Sequence, residues 1–187
     1  MRFYDMLMAA NNPALDEFNR WVFRSGMLFN SPDKWWGDLG RRDFPHEGVD
    51  FCLYENLSGE TSRLSHQTRI PAIHDGVVRH IFPDYLGQAV IVEHNLTQKG
   101  TGKLISIYAH TLPLEHLKAG IFVKQGDIIA TIADTSRSKT FILPHLHYSL
   151  GQTSENIDFG QFVWNDMRNP DLVVLLNPFS AINDPFF

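Results

Sequence analysis

From about residue 49 onward the chain is a series of short β-branched or aromatic runs, broken by turn signals, with no helical stretch between them. The runs are "VDFCLYEN", "RIPAIHDGVVRHIF", "QAVIVEHN", "KLISIYAHT", "IFVKQGDIIATIAD" and "PHLHYSL", punctuated by "HDG", "YLG", "KGTG" and "KQGD". Strand side chains alternate faces, and Gly, Asn and Asp supply the backbone freedom a reversal needs. Six short strands without intervening helices predict a mostly β fold, an antiparallel β-sandwich or open barrel. The tail "DLVVLLNPFSAIN" is apolar and should add a closing strand or a short helix.

Residues 1–45 read differently. In "NNPALDEFNRWVFR", Asn12 is placed as a helix N-cap and Pro13 as the first helical residue, while Leu15, Phe18, Trp21 and Val22 recur at helical spacing. This predicts one short amphipathic helix. The turn-rich "FNSPDKWWGDLGRRDFP" carries Trp35 and Trp36, for which packing as a structural plug is preferred over lining a groove. The expected organisation is an N-terminal extension over 1–45 and a β domain over 46–187.

Composition narrows the function. With 187 residues, 43% of them hydrophobic, the chain can bury a proper core. A formal charge of -5 and the lack of a polybasic patch argue against nucleic acid as a partner. Cys52 is the only cysteine, which excludes an intrachain disulfide and thiolate zinc clusters, so any metal must be held by histidine and carboxylate. No run approaches the ~18 apolar residues of a membrane helix. The start "MRFYDMLMAANNPALDEF" is interrupted by Asp5, Asn11 and Asn12 and lacks the apolar core of a signal peptide. Either the protein is not exported by that route or the sequence is a segment of a longer chain.

The run "LPHLHYSL" places His145 and His147 one residue apart. On a half-exposed strand both rings would point the same way, with backbones ~6.6 Å apart. Among nine histidines, His66, His74, His80, His94 and His116 sit near turns or strand edges, where a solvated imidazole is expected. His46 and Asp50 in "PHEGVDF" would stand ~13 Å apart on a continuous strand. A bend at Gly48 could bring them together. A catalytic zinc keeps three protein ligands and an open water position. His46, Asp50 and one of His145 and His147 meet that count, and the other histidine is left beside the water, where a base is useful. His110 ends the strand "ISIYAH" as a further candidate. A cupin arrangement fits poorly, because no histidine follows His147 and the next glutamate is Glu155.

Taken in order, these motifs resemble the lysostaphin-like, or LytM-type, zinc endopeptidases that cut peptidoglycan cross-bridges. "HEGVDF" is similar to that family's His-x-Gly-x-Asp opening, "AVIVEHN" with "ISIYAHT" to its central strand pair, and "LKAGIFVKQGDIIATIADT" to its hairpin. "LPHLHYSL" is similar to its last catalytic strand and "LLNPFS" to its close, so the likeness runs from about residue 41 to 179. The resemblance implies an antiparallel fold of the duplicated hybrid motif type with a groove across one sheet. It implies one zinc ion bound by His46, Asp50 and His147, with His110 and His145 as catalytic histidines. It also implies a peptidoglycan peptide or other small-residue peptide as substrate, and hence a place in the cell envelope.

The sequence departs from that family at the approach to the last strand, "SRSKTFILPHLH", where no glycine occurs between Gly126 and Gly151. Ser149 replaces the usual acidic residue, and "NLTQKGTGK" is a longer connection. Glu47, beside His46, is assigned no catalytic role, because a strand-like segment would turn it away. Two alternatives carry less. A non-catalytic wall-binding or hydrolase-activating relative would typically lack metal ligands, and here the set is complete. A lipoyl-type carrier needs a lysine at a hairpin tip between hydrophobic residues, and Lys124 is not so placed.

Overall fold

The structure, a computed structural model, describes residues 3–11, 18–95, 102–154 and 157–181. Helix α1 spans Phe3–Asn11 and is followed by strands β1 (Phe18–Val22), β2 (Val49–Phe51), β3 (Leu53–Asn56), β4 (Thr61–Arg63), β5 (Arg69–Pro71) and β6 (Gly76–Pro83). Then come β7 (Gln88–His94), β8 (Leu104–Pro113), β9 (Phe122–Val123), β10 (Ile128–Ile132), β11 (Leu146–Thr153), β12 (Val173–Leu176) and helix α2 (Pro178–Ala181). Each period-two run forms strand, and the apolar tail forms both a strand and a short helix. The fold is mostly β and antiparallel, as its punctuation predicts.

A nine-stranded sheet follows the path β12-β11-β8-β7-β6-β9, with β2 added on β11 and β10 joining β8 to β5. A small second sheet has the order β1-β3-β4. The centre of the large sheet is buried on both faces. Val90 and Val92 of β7 point into one apolar cluster with Phe51, Ile70, Tyr108 and Tyr148. Their neighbours Ala89 and Ile91 point into another, with Ile105, Ile107, Phe162 and Met167. Phe162 and Met167 come from the irregular segment after β11, which lies across that second face. For this reason β11 does not present one side to water, as its alternation suggests; seven of its eight residues are buried.

The N-terminal helix lies earlier than its spacing predicts. Met6 and Leu7 of α1 enter the main core, and the Asn11 side chain bonds both backbone groups of Arg69, at 2.8 and 2.9 Å. Phe18, Trp21 and Val22 are strand, not helix: β1 pairs β3 with Trp21 opposite Tyr54. Trp21 also meets Phe51 edge-on at 5.1 Å. Aromatic and β-branched residues gain more from cross-strand packing than from a helical face. Asn12, Pro13 and Leu15, and most of the connection "NLTQKGTGK", lie outside the described residues. Among the described residues no helix is long and apolar enough to cross a membrane.

His94 also departs from expectation, being 2% exposed and not solvated. Its Nδ1–H donates to the Asp75 carbonyl at 3.0 Å, and its Nε2 meets Ser106 Oγ at 2.8 Å. Burial pushes the pKa down to about 4 from 6.5. The unfolded chain therefore takes up this proton first as pH falls, so the stability His94 gives is full above pH 6.5 and drains away between about 6.5 and 4. In His94→Asn, urea unfolding should lose roughly one proton's slope, ~1.4 kcal/mol per pH unit, across that window. A variant that kept the full wild-type slope would contradict this.

Candidate metal centre

In the β2–β11 ladder Asp50 sits directly opposite His147. That register holds carboxylate and imidazole on one face of the sheet, with Cβ atoms ~5 Å apart. His46 reaches them through a bend at Glu47 and Gly48 just before β2. Gly48 passes so close to β11 that an added Cβ would lie 2.6 Å from Ser149 Oγ and 2.8 Å from His147 Nε2. Only glycine lets the chain turn there without displacing a candidate ligand.

Three atoms converge: His46 Nε2, Asp50 Oδ1 and His147 Nδ1. Their separations are 3.1 Å (His46 to Asp50), 3.0 Å (His46 to His147) and 3.0 Å (His147 to Asp50). All three residues are buried. His46 Nδ1 lies 3.0 Å from the Leu28 carbonyl, which can only accept, so this nitrogen carries the proton and Nε2 presents a lone pair. Ser149 Oγ lies 2.8 Å from His147 Nε2. If Ser149 accepts there, His147 Nδ1 is bare as well. Two imidazole lone pairs and a carboxylate oxygen then face one another, an arrangement that calls for a cation. Ligand atoms ~2.0–2.2 Å from a tetrahedral zinc sit roughly 3.3–3.6 Å apart. The trio is within a few tenths of an ångström of that, so the residues fit zinc. Burial alone would raise the Asp50 pKa; protons on the facing His46, His145 and His147 outweigh it and hold the carboxylate well below its usual range, a role that a bound cation would take over from those protons.

His145 stands beside this trio, immediately before β11. Its Nδ1–H donates to the Leu143 carbonyl at 2.8 Å, leaving Nε2 bare and 3.8 Å from Asp50 Oδ1. Burial pushes its pKa down to about 3, against the opposing pull of Asp50, so the ring is a neutral acceptor. The His110 ring lies 4.8 Å from that of His145. His110 occupies an irregularity of β8, opposite a register shift in β7, and has a left-handed φ of 61°. Such a conformation costs ~1–3 kcal/mol in a non-glycine residue and persists only where its surroundings impose it. Here they do. Asp84 Oδ2 accepts the His110 backbone N–H at 2.6 Å, and Asp84 Oδ1 lies 3.2 Å from Nδ1 of the ring, an electrostatic contact outside hydrogen-bond geometry.

A cavity of about 340 Å³ opens over these histidines. Trp164 forms one wall, stacked on His110 at 6.1 Å and edge-on to His147 at 5.3 Å. Four residues on, Arg168 clamps Glu47 Oε1 through Nε at 2.8 Å and Nη2 at 2.7 Å. Glu47 thus lines the cavity and does not turn away, because residues 46–48 bend and do not continue as strand; its carboxylate is already engaged. The glycine-free loop before His145 forms another wall through Ser138, Thr140 and Ile142. Trp35 is buried among Met27, Cys52, Leu53 and Ile142, the expected plug, yet its Nε1–H donates to Asp50 Oδ2 at 2.6 Å. Trp36 lines the cavity.

The structure therefore brings together all five histidine and aspartate candidates. Sequence reasoning missed Asp84, Trp164 and Arg168. "PDYLG" reads as a turn, and it is one, with Asp84 Oδ1 accepting from Leu86 and Gly87. Its second contact, to His110, spans 26 residues and leaves no local signal.

A β-sheet protein with an inward His, Asp and His donor set beside two further histidines is the class that fold and site define. A model of peptidase family M23 matches residues 45–159, well over half of the chain, and the protein belongs to that family. Among solved structures, the solution structure of lysostaphin is similar at 20% identity and a TM-score of 0.49, covering 85% of this chain and 55% of that one. This chain thus spans about half the length of lysostaphin. The catalytic domain of EnpA, a prophage-encoded M23 protein of Enterococcus faecalis crystallised as a point mutant, is 21% identical with a TM-score of 0.44, covering 86% of this chain and 95% of that one. A search of curated proteins finds no match.

Asp84 gives this region a test. Burial would raise its pKa, but contact with His110 and the backbone N–H groups of His110 and Leu86 hold it far below 3.8. The stability it contributes is present above pH ~4 and lost as pH falls below that. Asp84→Asn should therefore cost on the order of 1–3 kcal/mol at pH 7, and the difference from wild type should narrow at pH 3. Equal urea midpoints for the two proteins at pH 7 would contradict the role given to Asp84.

Proposed function

We propose that this protein is a zinc-dependent endopeptidase that hydrolyses peptide cross-links of bacterial peptidoglycan. The observation that carries the reading is the triangle of His46, Asp50 and His147 donor atoms beside the bare Nε2 of His145. Membership of peptidase family M23 supports a peptidase. The peptidoglycan substrate follows from the motif resemblance, and with it a site of action in the cell envelope. In this reading residues 46–187 form the peptidase unit and residues 1–45 a leading extension that completes it.

His46 Nε2, Asp50 Oδ1 and His147 Nδ1 would hold a single zinc. When bound, zinc supplies Lewis acidity, polarising the scissile carbonyl and acidifying a water. His145, neutral and with Nε2 free, accepts the proton from the attacking water and returns it to the leaving amine. His110, fixed by Asp84 across from His145, completes the pair that handles the proton. Trp164 and Ile142 wall the cavity in which this exchange takes place. By the same motif resemblance, links of small residues, glycine or alanine, are the expected targets. Glu47, paired with Arg168, is not a base in this scheme.

Two sets of variants separate the roles. His46→Ala, Asp50→Ala and His147→Ala should each lose zinc and all cleavage. His110→Ala and His145→Ala should keep zinc while turnover falls by ~10²–10⁴, and Glu47→Gln should remain active. The assay is digestion of purified sacculi with and without chelator, with product masses and zinc content measured on the same preparations. Full zinc in any of the first three variants would reassign that residue. Intact sacculi with zinc-loaded wild-type protein would overturn the peptidoglycan-hydrolase reading, and protein that folds without zinc would favour the non-catalytic, wall-binding or hydrolase-activating alternative.

A further inference from the structure

The three donor atoms lie within the stretch that the family model matches, but the groups that orient two of them do not. His46 takes its tautomer from the Leu28 carbonyl, and Asp50 has its second oxygen bound by Trp35. Both partners precede residue 45, where the family match begins. From this we infer that Trp35 is a positioning residue for the metal ligand Asp50, and that the segment 25–44 sets the zinc affinity of the centre. The inference rests on the zinc reading above.

Trp35 is only 4% exposed and is locked on several sides. Its ring stands edge-on to His145 at 5.1 Å and to Trp36 at 5.9 Å. Its backbone packs on the turn at Ser25–Met27 so closely that a Cβ on Gly26 would lie 2.7 Å from Trp35 N. An indole so fixed can aim its N–H in one direction only, and that direction is Asp50 Oδ2. With Oδ2 tied, Asp50 presents Oδ1 alone to the centre.

The choice of donor matters chemically. Arg42 is the nearest cation to Asp50, yet it stops 3.7 Å from Oδ2. It is held back by its own bonds to the carbonyls of Asp33 and Gly26, both 3.0 Å, and by stacking on Trp36 at 4.3 Å. The group that hydrogen-bonds Asp50 Oδ2 is therefore a neutral donor, which orients the carboxylate, while Arg42 adds only a longer ion pair. Partners that fix a metal ligand in this way are typically worth 10–100-fold in metal affinity.

A structural explanation also exists, since Trp35 fills an apolar cluster, and the test must separate the two. Trp35→Phe keeps an apolar ring but removes the donor. Incorporating 3-benzothienylalanine at position 35 replaces the indole N–H by sulfur at nearly constant shape. Zinc Kd, measured by competition against a chromophoric chelator, should rise 10–100-fold in both, while the benzothienyl protein melts close to wild type in chelator. The visible spectrum of the cobalt(II)-loaded benzothienyl protein should also shift, as Asp50 becomes free to turn both oxygens to the metal. Lowered melting with an unchanged zinc Kd would overturn the inference and leave the zinc reading standing. Wild-type protein that binds no zinc would overturn both.

Discussion

Asp50 faces His147 across the short ladder between β2 and β11, and the candidate centre is assembled around that pairing. β2 is only three residues long, and its place on β11 is fixed by Val49 and Phe51, both fully buried on either side of Asp50. A slip of one residue would turn Asp50 into the apolar core and Phe51 into the cavity. Gly48 then allows the chain to fold back over Tyr148 and Ser149, so that His46 joins from above. Apolar burial thus sets the register, and the register sets the polar geometry.

The cost of that geometry is electrostatic. A buried carboxylate needs partners, and here the partners are imidazoles whose other nitrogens are committed outward: His46 to Leu28, His145 to Leu143, His147 to Ser149. Each outward contact leaves a nitrogen facing inward. Burial disfavours protonating His145, so negative charge and lone pairs collect in one enclosed place. A divalent cation held there would resolve this. Around the same cavity, His110 is held in a strained conformation by Asp84, and Trp164 is held over it by a 3-10 turn pinned through Arg168 to Glu47. The walls are thus built from contacts distant in sequence.

Much of this was legible in the sequence. Period-two runs and their turn signals marked the strands of the large sheet, because alternation and glycine placement are local properties. His46, Asp50, His110, His145 and His147 stood out through motif spacing and order. The failures share a cause. Phe18, Trp21 and Val22 fit a helical spacing but pair with β3, and the choice is made by a strand more than thirty residues away. β11 alternates like a half-exposed strand, yet the segment after it covers its outer face. His94 looks like a strand-end histidine and is buried by the same sheet. Asp84 and Trp35 carry their second partners across the fold, where no window of sequence can see them.

The central claim is that His46, Asp50 and His147 hold one zinc while His145 stays free to move a proton. Anomalous diffraction at the zinc edge from crystals of the zinc-loaded protein tests it most directly. The account predicts a single peak bonded at ~2.0–2.2 Å to His46 Nε2, Asp50 Oδ1 and His147 Nδ1, with His145 Nε2 outside bonding distance. A peak elsewhere, or a closed shell in which His145 is a fourth protein ligand, would contradict it.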